Sequence, residues 1–317
     1  MKRYVTAAAA AALMVFAGAT SALADWQPTG PINLMIAFKA GGGADTQSRL
    51  IAEELEARKG WKVIPSNVTG GGGAVLAKKL KGEPADGLTI GMVVTTTVGY
   101  AMMAAKNPGY TADDFTYLTT TAGFQMGIVA MADRGWKDFG DVVDLAKAGT
   151  PIRFGVMSPL LEDVTYLFGK ELGVDFRIVM LKGGKGVMNA LNAGDIDVGW
   201  GAGIQTKAVQ AGSMVNLASG NAEPLKISPQ APLITDMGSK YAIPGYFMLM
   251  APAGVPDDAR NAIAAAIGEI VSDPSTKAGA FLAKGFGGAV VLQGAELDNF
   301  LADQVSAAEQ ILTEASQ

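Results

Sequence analysis

Residues 38–49 read Phe-Lys-Ala-Gly-Gly-Gly-Ala-Asp-Thr-Gln-Ser-Arg, and they set the architecture of the chain. They follow an apolar run, Ile32 to Phe38, of the kind that forms a buried parallel strand. They lead into residues 50–55, where apolar side chains recur at helical spacing. A strand, a glycine turn and a helix start therefore follow one another, which is the repeating unit of an α/β fold.

The glycine run has two interpretations. The first N–H groups of a helix carry partial positive charge, and glycines let an anion approach them without meeting a Cβ atom. Alternatively, the glycines only make a tight turn and Asp45 caps the helix. A second glycine run occupies residues 67–73, and neither run matches a nucleotide-binding motif.

The first 24 residues have the layout of a secretory signal peptide: basic Lys2 and Arg3, an apolar stretch, and the small-residue site Ala22-Leu23-Ala24. Cleavage after Ala24 leaves 293 residues with 23 basic and 30 acidic side chains, a net charge of −7. That charge argues against binding to nucleic acid or to an anionic membrane surface. With no further membrane-length apolar run and no cysteine for a lipid, we expect a soluble monomer in a Gram-negative periplasm.

The sequence contains no histidine and no cysteine. This excludes Ser-His-Asp catalysis, thiol nucleophiles and the usual zinc ligands. We therefore predict no catalytic residue, no metal and no cofactor. An enzyme built from carboxylates is the weaker hypothesis, because Asp45, Asp86, Glu162 and Asp163 each have a turn or helix-start explanation.

Strand and helix alternate through the rest of the chain, which favours parallel α/β sheets in two lobes. Thr95, Thr96 and Thr97 follow the apolar strand 88–94, either as ligand contacts at its carboxyl end or as strand-extending β-branched residues. Ser158 is either a helix cap or a ligand donor. Trp200 ends a strand and either stacks on an apolar part of a ligand or packs in the core.

Five segments in this order resemble the Bug family, the periplasmic solute-binding proteins of tripartite tricarboxylate transporters. They are residues 38–49, 67–73, 84–89, 182–198 and 251–254. The resemblance implies a type II periplasmic-binding-protein fold, with two α/β lobes and two crossing strands as a hinge. The expected division is lobe 1 at 25–123, a crossing strand at 124–131, lobe 2 at 132–245, and a second crossing strand with the rest of lobe 1 at 246–317.

The resemblance also implies a function, in which a small organic carboxylate is captured between the lobes and delivered to integral membrane permease subunits. A sensor of the same fold that reports to a membrane-bound kinase is the alternative. The ligand-binding residues implied by the family loops, with Trp200 from its strand end, are Phe38, Gly41, Gly42, Gly43, Ala44, Asp45, Thr95, Thr96, Thr97, Met157, Ser158, Trp200 and Gly201.

This chain departs from the family pattern at two places. Residues 157–163 stand where family members often have a serine- and glycine-rich run followed by histidine, and Lys39 stands where the family commonly has proline. The identity of the carboxylate is therefore not carried over from the family. The roles of Lys39, Lys182, Glu162 and Asp163 stay open at this point.

Overall fold

The computed structural model describes residues 26–317, so the predicted signal peptide lies outside the described residues. Two five-stranded sheets form the centres of two lobes. The first sheet contains, in spatial order, β2 (Val63–Asn67), β1 (Ile32–Ile36), β3 (Thr89–Val94), β10 (Tyr246–Pro252) and β4 (Phe115–Gly123). The second contains β7 (Arg177–Met180), β6 (Arg153–Val156), β8 (Val198–Ala202), β5 (Met126–Met131) and β9 (Met214–Ser219).

Helices cover both faces of the two sheets. They are α1 (Gly43–Lys59), α2 (Ala74–Leu80), α3 (Tyr100–Ala104), α4 (Phe139–Lys147), α5 (Pro159–Leu172), α6 (Gly183–Ala193), α7 (Thr206–Gln210), α8 (Asp257–Ser272), α9 (Lys277–Phe286) and α10 (Gly294–Ala315). Within residues 26–317, no helix combines the length and the apolar character that a membrane span requires. The predicted α/β fold with two lobes is confirmed.

Both sheets are mixed, so the expectation of parallel sheets is wrong for one strand in each. β10 runs antiparallel to β3 and β4, and β5 runs antiparallel to β8 and β9. Each of these is the strand by which the chain enters one sheet after leaving the other. The first passage is short, Phe124–Gln125 between β4 and β5, and the return covers residues 220–245. The residue bounds expected for the lobes stay a prediction.

Strand β4 was not predicted from the sequence. It is rich in threonine, and Thr119, Thr120 and Thr121 are fully buried. Their hydroxyls find partners far away in the chain: Thr120 Oγ1 donates to Val290 O at 2.6 Å, and Thr121 Oγ1 donates to Gln47 Oε1 at 2.6 Å. A buried hydroxyl is tolerated when it is hydrogen-bonded, and the local sequence does not show these partners.

The core of the first lobe lies on both faces of its sheet. Helices α1, α8 and α9 cover one face and α2 and α10 the other. The apolar residues at helical spacing on α8 (Ala259, Ile263, Ala266, Ile267 and Ile270) are all buried. Burial of each isoleucine contributes about 1.5–3 kcal/mol, so this stripe holds α8 against the sheet.

The second lobe has an aromatic core. Phe139, Phe154, Phe168 and Phe176 form a ring-to-ring cluster between α4, α5 and the sheet, with centroid separations of 5.5–6.0 Å. Separations in this range are favourable for aromatic pairs. The opposite face is covered by α6 through Val187 and Leu191. The loops at the ends of β6 and β8 are therefore carried on a rigid base.

Candidate functional site

The glycine loop between β1 and α1 is held in shape by backbone geometry and by one carboxylate. Gly41 has φ +77°, a conformation that favours glycine, and its N–H donates to Asp45 Oδ2 at 2.9 Å. Gly42 is the N-cap of α1, with extended backbone and no side-chain cap. The interpretation of Asp45 as N-cap is therefore wrong, because the helix begins two residues earlier, at Gly43.

Asp45 pins the loop from inside the first turn. Its side chain is 4% exposed and also accepts from Arg49 Nε at 3.0 Å and Asn67 Nδ2 at 2.8 Å. Asn67 Nδ2 donates to Phe38 O as well, at 2.9 Å. Burial opposes ionisation of Asp45, but the hydrogen bonds from Arg49, Gly41 and Asn67 outweigh it and hold the pKa of the carboxyl below its usual value. The carboxylate therefore shapes the loop, and its acceptor positions are occupied.

The start of α1 presents backbone donors. The N–H groups of Gly43, Ala44 and Asp45 lie too early in the helix to bond to a preceding turn, and no acceptor for them is found in residues 26–317. The first N–H that bonds back is that of Thr46, to Gly42 O at 2.9 Å. Three neighbouring donors with the positive end of a 17-residue helix behind them can bind a carboxylate.

The threonines after β3 have structural partners. Thr95 and Thr97 are fully buried, and Thr97 Oγ1 donates to Gly72 O at 2.8 Å and accepts from Val94 N at 3.4 Å. Thr95 Oγ1 accepts from Tyr246 N at 3.2 Å. Thr96 is the member of this turn whose side chain is partly exposed. The hydroxyl of Thr97 thus joins the second glycine loop to β3 and is not presented to a ligand.

In the second lobe, Met157 and Ser158 follow β6 and are partly exposed. Ser158 is the N-cap of α5, and its Oγ accepts from Leu161 N at 3.4 Å, so the capping role is present. The ligand-stacking role of Trp200 is contradicted, because its side chain is fully buried and Nε1 donates to Thr165 Oγ1 at 2.8 Å. Gly201 is buried against Gln205: a Cβ there would lie 2.5 Å from Gln205 Oε1.

Phe286, at the end of α9, lies between Gly43 of the first lobe and Gly203 of the second. The sequence reasoning missed this residue. A Cβ on Gly43 would lie 2.8 Å from Phe286 Cζ, and a Cβ on Gly203 would lie 2.4 Å from Phe286 Cε1. The ring is 4% exposed and packs edge-on against Phe247, which in turn packs against Phe124 at the crossing. Phe286 therefore lies between the crossing strands on one side and Gly43 and Gly203 on the other.

The lobes also approach each other at two further places. A Cβ on Gly41 would lie 3.7 Å from Lys185 Nζ, which comes from α6 of the second lobe. Tyr100 of α3 donates its hydroxyl to Asp163 of α5. Burial, together with the adjacent Asp163 carboxylate, raises the pKa of the Tyr100 hydroxyl, so the phenol stays protonated and donates.

The described residues contain no group of three or more acidic side chains that could hold a metal ion. Five of the predicted site residues form one loop at the start of α1: Gly41, Gly42, Gly43, Ala44 and the backbone of Asp45. The carbonyl of Phe38 is tied to this loop by the hydrogen bond that it accepts from Asn67. Gly43 and the Gly201–Gly203 segment meet at the Phe286 ring.

Residues 47–316 match the family model described as the tripartite tricarboxylate transporter family receptor. The chain is 29% identical over 254 residues to the UPF0065 protein in the gbd 5' region of Cupriavidus necator, which covers 78% of this chain and 76% of the relative. It is 26% identical over 258 residues to a UPF0065 protein of Agrobacterium vitis, encoded in the TAR-I ttuE-ttuC' intergenic region, with coverage of 79% and 74%.

Solved structures share the two-lobed fold. MatC of Rhodopseudomonas palustris, with bound malate, gives a TM-score of 0.77 at 20% identity and covers 90% of this chain and 99% of its own. The periplasmic binding protein BugD gives 0.79 at 21%, with coverage of 92% and 99%. A further R. palustris protein, with adipate, gives 0.80 at 21%, with coverage of 91% and 98%. At these identities the likeness establishes the fold.

Proposed function

This chain belongs to the tripartite tricarboxylate transporter receptor family, and we propose that it captures a small organic carboxylate between its lobes in the periplasm and delivers it to an integral membrane permease. Members of this family are binding proteins rather than enzymes. A signal peptide with cleavage after Ala24 and a monomeric state are parts of the same proposal.

The observation that carries the proposal is the row of donors at the start of α1. The N–H groups of Gly43, Ala44 and Asp45 are directed by the helix and kept in place by the Asp45 carboxylate, which holds Gly41. No cationic side chain is required for this grip, which suits a protein whose overall charge is negative.

The magnitudes support a backbone grip. Hydrogen bonds to a charged group contribute about 1.5–3 kcal/mol each, so three of them supply about 5–9 kcal/mol. The association cost is about 4–15 kcal/mol. Closure of the second lobe over the ligand adds contacts and excludes water, and these contacts exist only in the closed state. Met157 and Ser158 of the second lobe are partly exposed and are the side chains we assign to this second set, and Thr96, also partly exposed, is assigned to the first-lobe contacts.

The solved neighbours support the ligand class. MatC binds malate and a second R. palustris protein binds adipate, and both are carboxylates. The two ligands differ in length, and the family resemblance does not carry over the identity of the carboxylate. We therefore propose the class, a small organic acid, and leave its carbon chain to experiment.

Titration calorimetry with succinate, malate, adipate, propionate and butyrate tests the proposal. We expect at least one carboxylate to bind the folded wild-type chain, and absence of binding by all of them would refute it. Ala44→Pro deletes one of the three donors in the first turn of α1 and should weaken binding by about tenfold or more. Because Ala44 is buried, thermal melts must show that this variant stays folded. Ala295→Pro removes the N–H of the second residue of α10 at an exposed position and serves as the comparison for proline at that helical position.

Uptake experiments test delivery to the permease. Deletion of the gene should abolish uptake of the bound carboxylate, and the wild-type chain should restore it. Retained uptake together with loss of a ligand-dependent transcriptional response would overturn the transport proposal in favour of the kinase-linked sensor.

A further inference from the structure

Lys185 of the second lobe lies where the two lobes approach each other. It is the third residue of α6, in the second lobe, and its side chain is exposed. Its Nζ lies 3.7 Å from the position that a Cβ on Gly41 of the first lobe would occupy. An ammonium group of one lobe thus stands beside the glycine loop of the other.

The backbone next to Lys185 packs against the loops that follow β6 and β8 of the second lobe. A Cβ on the preceding residue, Gly184, would lie 3.0 Å from Ile204 Cγ2 and 3.8 Å from Met157 Sδ. Met157 belongs to the loop after β6, and Ile204 to the loop after β8. The first turn of α6 therefore packs against both of these loops, while the flexible stem of the lysine lets its ammonium group take different positions.

The ammonium group of Lys185 has no carboxylate within salt-bridge distance in residues 26–317. The acidic group in the glycine loop, Asp45, is already occupied by Gly41, Arg49 and Asn67. A cation for which the described residues show no carboxylate partner, beside a glycine loop that leads into unpaired helix-start N–H groups, forms a locally positive site in a negatively charged protein.

We propose that Lys185 is the second-lobe charge partner of the same ligand carboxylate that the start of α1 binds. This inference rests on the proposed function. The contact joins the lobes through the ligand, so it strengthens the closed state and leaves the empty protein unaffected. Lys182, the lysine that the sequence singled out, is the N-cap of α6, and no contact between it and the first lobe is found in the described residues.

The test compares three variants, Lys185→Gln, Lys185→Arg and Lys182→Gln, by calorimetry with succinate and butyrate. The two acids share a four-carbon chain and differ by one carboxylate. Loss of a charge-assisted bond should weaken binding of Lys185→Gln by about 10- to 100-fold for both acids. Lys185→Arg should recover part of the affinity, and the affinity of Lys182→Gln should stay close to that of the wild type. Without ligand, the melting temperatures of all three variants should equal that of the wild type.

The outcomes separate this inference from the proposed function. If the wild type binds any acid of the panel and Lys185→Gln binds that acid equally well, the inference is overturned and the proposed function stands. Loss confined to succinate also overturns it, since Lys185 would then contact a different carboxylate. If the folded wild type binds no acid in the panel, both fail together.

Discussion

Replacing Asp45 by alanine tests whether the pinned glycine loop is the ligand grip. The carboxylate accepts from Gly41 N at 2.9 Å, from Arg49 Nε at 3.0 Å and from Asn67 Nδ2 at 2.8 Å. Asp45→Ala removes all three bonds and frees the turn at Gly41 from the first turn of α1. The helix itself should persist, because its N-cap is Gly42 and its apolar face is unaltered.

The expected loss of stability is smaller than three full hydrogen bonds. Bonds to a charged group contribute about 1.5–3 kcal/mol each when both partners are otherwise unsatisfied. Here the Arg49 side chain is 44% exposed and Gly41 and Asn67 are exposed, so water replaces the lost acceptor. We expect unfolding free energy to fall by about 2 kcal/mol, which lowers Tm by about 4–8 °C for a chain of this size.

Asp45→Ala should also weaken binding of the carboxylate ligand. Without its anchor the loop samples several conformations, and the three donors are no longer presented together, so affinity should fall by about tenfold or more. Asp138→Ala is the matched control, because Asp138 also accepts a helix-start N–H (Gly140 N, 2.7 Å) but belongs to α4 of the second lobe. Calorimetry and thermal melts on both variants give the comparison. Should Asp45→Ala melt early yet bind its carboxylate like the wild type, the loop is not the grip.

The same variant predicts a pH dependence. Because hydrogen bonding keeps the pKa of folded Asp45 below its usual value, its contribution to stability is complete above the unfolded-state pKa, about 3.9. The contribution is lost as the pH falls through the lower folded-state pKa. In urea titrations, the stability difference between wild type and Asp45→Ala should therefore stay constant from pH 7 to about 5 and shrink below about pH 4. A difference that grows on acidification would contradict this assignment.

Three further substitutions address the other contacts. Tyr100→Phe removes the hydroxyl that bonds Asp163 across the lobes, so ligand affinity should fall about tenfold and X-ray scattering should show fewer closed molecules. Unchanged affinity and unchanged scattering would rule out a role for this bond in closure. Trp200→Phe should lower unfolding free energy in urea titrations by about 2 kcal/mol and leave affinity unchanged, whereas a selective loss of affinity would return this residue to the site. Gly203 has φ +114°, and Gly203→Ala would place a Cβ 2.4 Å from the Phe286 ring, so this variant should lower Tm strongly. Gly212→Ala, at φ +72° with open space around the new Cβ, should lower Tm less. Equal losses of Tm would show that backbone strain alone is responsible.

Local patterns predicted the individual elements well where the signal lies in neighbouring residues. Helix α1 follows the glycine turn, as the apolar spacing of residues 50–55 indicated, and Ser158 takes the cap role that was one of its two interpretations. Helix caps and amphipathic stripes depend on contacts within a few residues. Strand β4 escaped, because its buried threonines are satisfied by segments more than 70 residues away.

For the candidate site, the residues of the chain alone specified a glycine turn that opens a helix with unpaired N–H groups, since both features follow from φ preferences and helix geometry. Tertiary folding decided the rest. The hydroxyl of Thr97 and the indole of Trp200 became structural because their hydrogen-bond partners lie elsewhere in the folded chain. Phe286 and Lys185 come from helices more than 140 residues beyond the glycine turn. Packing of α9 against α1 within the first lobe places Phe286 there, and the approach of the second lobe places Lys185 there.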